Sequence, residues 1–380
     1  MTAPVLVLAG ESPVPPFSGI RQRVLHLARA LGGAYEVVVG VLGPAPAADG
    51  QPFALCSAGA LRHKPASLAT ALRRPYAAAR HRAPGLGALA ARGPWATVQS
   101  ETPWLLPAAV RAGRPVVLDA IDVETDVMRT FAERERRRLH RLRWTWEQAK
   151  TGRWERAAAR RVDAVCVTGD HEAEAFERMG AREIVVVPNG VDARAVPFAP
   201  PAPGSRFIYA GHFGYRPNQH AARELALEVL PLLRRRVPEA VLAIVGRDAG
   251  PELRRLAGPA VEVTGEVPEM LPHLRRARAT IVPLRSGAGT RVKVLEAMAA
   301  GVPVVSTRFG VAGIDVRDGE HVLLAETPAE IAEAAARLAS DDALCLALAQ
   351  RARRLVERRF DWAVVADPLV ALHERLGARA

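Results

Sequence analysis

Short, unbroken apolar runs recur along the chain, each closing on glycine or a small polar residue and each followed by a longer stretch with helical spacing. Val5–Ala9 is the first; 37–42, 97–99, 116–118, 164–167 and 184–187 follow. Runs too short and too continuous for amphipathic helices are how buried parallel strands joined by crossover helices look in sequence. The pattern therefore predicts βαβ units and an α/β fold. After the first run comes a Pro- and Gly-rich loop, 10–19, and then a helix with Val24, Leu25, Leu27, Ala28 and Leu31 on its apolar side.

The alternation breaks once. Residues 197–203 are proline-rich, and prolines lack the N–H and the φ freedom that a helix or a central strand needs. Beyond them the pattern restarts: strands at 207–211, 241–246, 261–265, 279–284 and 304–306, with helices ending near 236 and spanning 292–300. The last forty residues read as helical, with Phe360-Asp361-Trp362 as a bend before a final helix. The expectation is two Rossmann-like, parallel-sheet lobes with a cleft between them. Residues 1–187 form the first, joined by the C-terminal helix at about 363–380, and 188–362 form the second. In such sheets, strand C-termini and helix N-termini make sites for phosphorylated ligands.

Composition narrows the partners. With 380 residues, 49% apolar and 24% charged, the chain has enough apolar material for two cores. Its 52 basic and 40 acidic residues leave a net charge of +12, which favours phosphates, nucleic acid or an anionic membrane surface without choosing among them. Cys56, Cys166 and Cys345 are too far apart in sequence for ligand-type spacing, so neither a metal knuckle nor a disulfide framework is expected. No apolar run approaches the ~18–20 residues of a membrane helix, and no basic n-region precedes the first strand. A cytoplasmic protein is expected; a secreted miniprotein, an integral membrane protein and a disordered scaffold are not.

The sharpest local signal starts at Pro283: Pro-Leu-Arg-Ser-Gly-Ala-Gly-Thr-Arg-Val-Lys-Val-Leu-Glu-Ala-Met-Ala-Ala-Gly-Val-Pro-Val-Val-Ser-Thr, a strand, a glycine loop, a helix and a strand. Gly287 and Gly289 let the backbone approach an anion, and free N–H groups at the following helix start point at it. Arg291 and Lys293 add charge there. Lysine is rare in this chain, occurring only at 64, 150 and 293, so a lone amine among arginines suggests a point charge on an oxygen. Glu296, within two turns, can accept hydrogen bonds from a diol such as ribose; the bland alternative is a glutamate that favours the helix dipole.

The whole string resembles the donor-site motif of the retaining GT-B glycosyltransferases of family four, and other stretches agree with that family in order. They are Val187-Pro188-Asn189-Gly190-Val191-Asp192, residues 211–218, Val263-Thr264-Gly265-Glu266-Val267, and residues 18–31. The resemblance implies an enzyme that moves a sugar from a nucleotide-diphosphate donor to an acceptor glycan, glycolipid or small glycoside, with retention and without metal or other cofactor. It implies that Glu296 and Leu295 belong to the ribose-holding helix and that Val267 contacts the base. Gly289 and Thr290 would offer N–H groups, Arg291 and Lys293 would sit beside the diphosphate, and Gly19 would face the donor from the first lobe.

The chain also departs from the family pattern. The first glutamate of the E-x7-E motif falls at Ala288, the cation pair after the first C-terminal strand falls near His212 and Pro217 with Arg216 adjacent, and the first-lobe histidine appears as Ile121. Asp119 and Asp122 flank that position. Asp122 either takes a direct catalytic role or caps a loop.

Residues 129–161 are arginine-rich, with Arg136, Arg137, Arg138, Arg141 and Arg143 interleaved with Trp144 and Trp146. The stretch either docks on anionic lipid headgroups or forms a solvated helix face. Scattered histidines and the absence of an Asp-x-Asp pair give no expected metal site. A nucleotide-sugar epimerase and a basic nucleic-acid-binding protein are the rival readings. The first needs a carboxylate and histidine array that cannot be assembled here, and the second leaves residues 287–296 unexplained, so no nucleic-acid partner is expected.

Overall fold

A computed structural model describes residues 3–16, 18–59, 72–81, 83–135, 137–286 and 291–378. The chain divides into two compact units, Met1–Asn189 with Val365–Ala380, and Gly190–Val364. Each is built on one parallel sheet.

In the first unit the strands are β1 (Val5–Ala9), β2 (Val37–Val41), β3 (Ala54–Ser57), β4 (Thr97–Ser100), β5 (Val116–Ala120), β6 (Ala164–Val167) and β7 (Ile184–Val186), in the order β3-β2-β1-β4-β5-β6-β7. All neighbours are parallel, and the central strands are buried along their whole length, which is why they read as unbroken apolar runs. The helix Gly19–Gly32 starts where Ser18 Oγ accepts from Arg21 N, and it buries Val24, Leu25, Leu27, Ala28 and Leu31. The last helix, Asp367–Gly377, also belongs here. Its Leu369, Leu372 and Leu376 are buried, and His373 bonds to Thr97 Oγ1 at 2.6 Å and Gln99 Oε1 at 3.2 Å on β4.

The second unit holds β8 (Arg206–Ala210), β9 (Val241–Val245), β10 (Val261–Gly265), β11 (Ala279–Val282), β12 (Val304–Ser306) and β13 (Leu323–Leu324), in the order β10-β9-β8-β11-β12-β13. Its core gathers these strands with the helices Val292–Ala300, Pro328–Ser340 and Asp342–Arg359. Asp361 ends the last of them: its carboxylate accepts from Ala193 N at 3.1 Å and Ala363 N at 2.8 Å, fixing the expected bend.

In both sheets the first strand has its sequence neighbour on one side and a later strand on the other: β1 between β2 and β4, β8 between β9 and β11. The order reverses there, and such a switch point at the strand C-termini is where open parallel sheets form their binding crevices. Two edge strands, β3 and β13, were not legible as strands. The first is partly exposed and the second has only two residues, so neither forms an apolar run.

Candidate functional site

In the second unit the strand ends pack closely. Gly246 has φ +144, and a Cβ there would lie 1.8 Å from the Gly211 carbonyl oxygen, so only glycine lets the ends of β8 and β9 meet. Gly211 itself is hemmed in: a Cβ would stand 3.2 Å from Asn218 Cγ and 3.3 Å from Lys293 Nζ.

These last two residues are the centre of a polar cluster. Lys293 Nζ donates to Asn218 Oδ1 at 2.9 Å and to Tyr209 Oη at 3.3 Å, and lies 4.5 Å from the centre of the Tyr209 ring. Tyr209 Oη donates to the same Asn218 oxygen at 2.8 Å, while Asn218 Nδ2 donates to the His212 carbonyl at 2.9 Å. Desolvation, and then the neighbouring Arg291 charge, push the Lys293 ammonium down to about 7, with Glu296 pulling the other way. Burial pushes the Tyr209 phenol up, so it remains a neutral donor.

Arg291 precedes the helix Val292–Ala300, is 7% exposed, and lays its guanidinium 4.9 Å from the centre of the Phe309 ring. The structure thus brings Arg291, Lys293 and Glu296 together on the first turns of one helix at the β8/β11 crevice. Leu295 is different: its side chain is wholly buried in the core and its N–H goes to the Arg291 carbonyl. Gly287, Gly289 and Thr290 lie outside the described residues.

Other candidates ring this edge. His212 is exposed and its Nε2 lies 2.6 Å from Asp248 Oδ2; Asp248 adopts φ 58. Arg216 is exposed at the head of the helix Arg216–Glu224. Val267, past the end of β10, is partly buried against the core. Among the described residues no group of three or more His, Cys, Asp or Glu could hold a metal ion.

In the first unit Gly19 opens its helix beside the loop that leaves β1. Asp119 is committed elsewhere. It is 1% exposed on β5 and pairs with the fully buried Arg23, whose Nη2 lies 2.6 Å from Asp119 Oδ1. Asp122, beyond the strand end, is partly exposed.

Sequence reasoning missed a pair of groups at the β1/β4 crevice. Glu101 is 6% exposed, and its Oε2 accepts from Gly10 N at 2.7 Å. Burial pushes this carboxyl up to about 8, against the pull of the Gly10 N–H. The His81 ring faces the same glycine: a Cβ on Gly10 would lie 3.8 Å from His81 Nε2 and 4.0 Å from Glu101 Oε2. His81 Nδ1 donates to the Ala77 carbonyl at 2.7 Å, leaving Nε2 as the acceptor in the neutral ring. The only available signal was the Gly-rich loop that makes room for them.

Residues 18–190 match the "glycosyl transferase 4-like domain" model, and residues 204–341 match "glycosyl transferases group 1". A phosphatidyl-myo-inositol mannosyltransferase of Mycobacterium leprae is 30% identical over 211 residues, 52% of this chain and 55% of that protein. A glycogen synthase of Mycobacterium tuberculosis is 32% identical over 201 residues, 49% of this chain and 47% of that one. The chain spans about half the length of the curated relatives it matches. Among solved structures, a sucrose-phosphate synthase from Thermosynechococcus elongatus superposes with a TM-score of 0.75 at 19% identity, covering 100% of both chains. Anabaena Alr3699/HepE in complex with UDP does so with a TM-score of 0.71 at 16% identity, covering 98% of this chain and 100% of the other. At such identities the likeness establishes the fold, and it agrees with the two matched domains. The chain belongs to the group 1, family-four glycosyltransferases, with two Rossmann-like lobes of the GT-B type.

Proposed function

We propose that the protein transfers a sugar from a nucleotide-diphosphate donor, held by the second unit, to an acceptor hydroxyl bound by the first. The observation that carries this reading is the cluster at the β8/β11 crevice, where Lys293 and Arg291 stand together with Glu296 one turn further along the same helix. Arg291 and the protonated form of Lys293, together at the helix start, would stabilise a departing diphosphate, and the glutamate would accept from ribose hydroxyls.

In the reaction the bond from the anomeric carbon to the diphosphate oxygen breaks and a bond to the acceptor oxygen forms. The acceptor proton passes to the leaving phosphate. Retention of configuration and independence from metal ions are part of the proposal, supported by the family resemblance and by the cations in the place where a metal would otherwise neutralise the diphosphate. Relatives named for GDP-mannose and phosphatidylinositol, and fold neighbours crystallised with UDP, set the range of donors and acceptors to screen.

The test begins with UDP and GDP as ligands. A ligand bound only to the folded state adds roughly 2.7 kcal/mol at a hundredfold excess over Kd, so one of the two should raise the melting temperature, and Glu296→Ala should remove most of that rise. UDP- and GDP-sugars are then presented with glycan and phosphatidylinositol acceptors in EDTA. Release of nucleoside diphosphate only when acceptor is present, with an anomeric proton signal of unchanged configuration, is the expected result. No stabilisation by either diphosphate, or release that ignores the acceptor, defeats the transferase reading. Activity restored by magnesium or manganese defeats metal independence, and an inverted product defeats retention.

A further inference from the structure

The helix Arg138–Arg161 of the first unit carries an outward apolar stripe that the proposed transfer reaction does not use. Leu139 is 80% exposed, Leu142 66% and Trp146 50%, at i, i+3 and i+7, so all three lie on one face of the helix. Scattered exposed leucines are ordinary, but three large apolar residues in line on a helix, in a chain with an ample core, are not. Arg138, Arg141 and Arg143 surround the stripe and are exposed, and no carboxylate among the described residues forms an ion pair with them. The helix also begins with arginines, without an acidic residue in its first turn or a side-chain cap at Arg137, which places positive charge at the positive end of its dipole. One carboxylate lies against this charge: Glu135, just ahead of the helix, accepts from Arg137 N at 3.0 Å.

We propose that this face docks on an anionic phospholipid surface, with Leu139, Leu142 and Trp146 entering the interface and the arginines meeting the headgroups. The occupant follows from charge and chemistry together. A second copy of the chain would bring like charge against like, and a nucleic acid would satisfy the arginines while leaving the leucines in water. An anionic bilayer matches both, because its headgroups lie directly above apolar tails. No helix among the described residues is long and apolar enough to cross a membrane, so the contact is peripheral. The inference does not depend on the transferase reading and is tested without donor or acceptor.

The full chain is sedimented with vesicles of phosphatidylcholine alone and of phosphatidylcholine with about a third phosphatidylglycerol, at low and high salt. The wild type should bind the anionic vesicles selectively and less at high salt. Arg138→Gln/Arg141→Gln/Arg143→Gln should weaken binding by about fivefold per residue at low salt. Leu139→Ser/Leu142→Ser/Trp146→Gln keeps every charge and should also lose binding, with unchanged circular dichroism. If that variant is unstable, Leu139→Ser/Leu142→Ser, which changes only the two most exposed side chains, gives the same reading. The proposal is overturned by a wild type that ignores anionic vesicles, or by leucine variants that bind them as well as wild type. It is equally overturned if duplex DNA displaces the vesicles, or if the leucine variants abolish self-association in a protein that binds no lipid.

Discussion

Lys293 is the residue on which the most chemistry converges, and its pH behaviour is the sharpest way to examine it. Its ammonium is held at about 7 in the folded protein against 10.5 for an ordinary lysine. The unfolded chain therefore binds this proton more readily between about 7 and 10.5. The burial cost is full below about 7 and is relieved as pH rises through that window. A bound diphosphate has the opposite preference, since it favours the charged amine. Affinity for UDP or GDP should fall above pH 7, by up to about tenfold per pH unit, and calorimetry should find that slope gone in Lys293→Met. An unchanged slope would remove Lys293 from the diphosphate. At this scale Lys293, Arg291 and Glu296 were legible because they share one helix with a glycine loop before it. Tyr209 and Asn218, which hold the amine, were not, because one reads as a strand residue and the other as the end of a loop.

Between elements, the buried pair of Arg23 and Asp119 joins the helix Gly19–Gly32 to β5. It also reaches the end of the first unit: Arg23 Nη1 donates to the Val187 carbonyl at 2.8 Å and to Asn189 Oδ1 at 3.1 Å. Arg23→Met should leave Asp119 as an uncompensated buried charge and cost about 3–5 kcal/mol, as should Asp119→Leu from the other side. The double variant, having no charge left to strand, should cost well under the sum in urea unfolding; strict additivity would contradict the coupling. Most elements followed from run length and period alone. The helix read as ending near 236 runs without a break from Arg216 to Arg234, as Arg216–Glu224, a π-helical segment Leu225–Val229 and Leu230–Arg234; the π-helical step is a detail that apolar spacing does not encode.

For the molecule as a whole, the return of the helix Asp367–Gly377 to the first unit means that this unit is completed only by the end of the chain. Deleting residues 365–380 uncovers the faces that Leu369, Leu372 and Leu376 bury. At ~1.5–3 kcal/mol per side chain, the first unit should lose on the order of 5 kcal/mol. Hydrogen exchange should show β4 and β7 losing protection while β8 to β12 keep theirs; uniform loss would mean that the units do not unfold separately. The sequence by itself determined the alternation of strands and helices, its restart after the prolines, and the glycine loop before Lys293, because each is written in neighbouring residues. Tertiary structure alone decided that Asp119 is spent on Arg23, that Glu101 and His81 face Gly10, and that Leu139, Leu142 and Trp146 point outward. The first two join residues far apart in sequence, so local periodicity carries no trace of them; for the third, the i, i+3, i+7 spacing gives a shared helix face, and only packing decides that other elements leave that face uncovered.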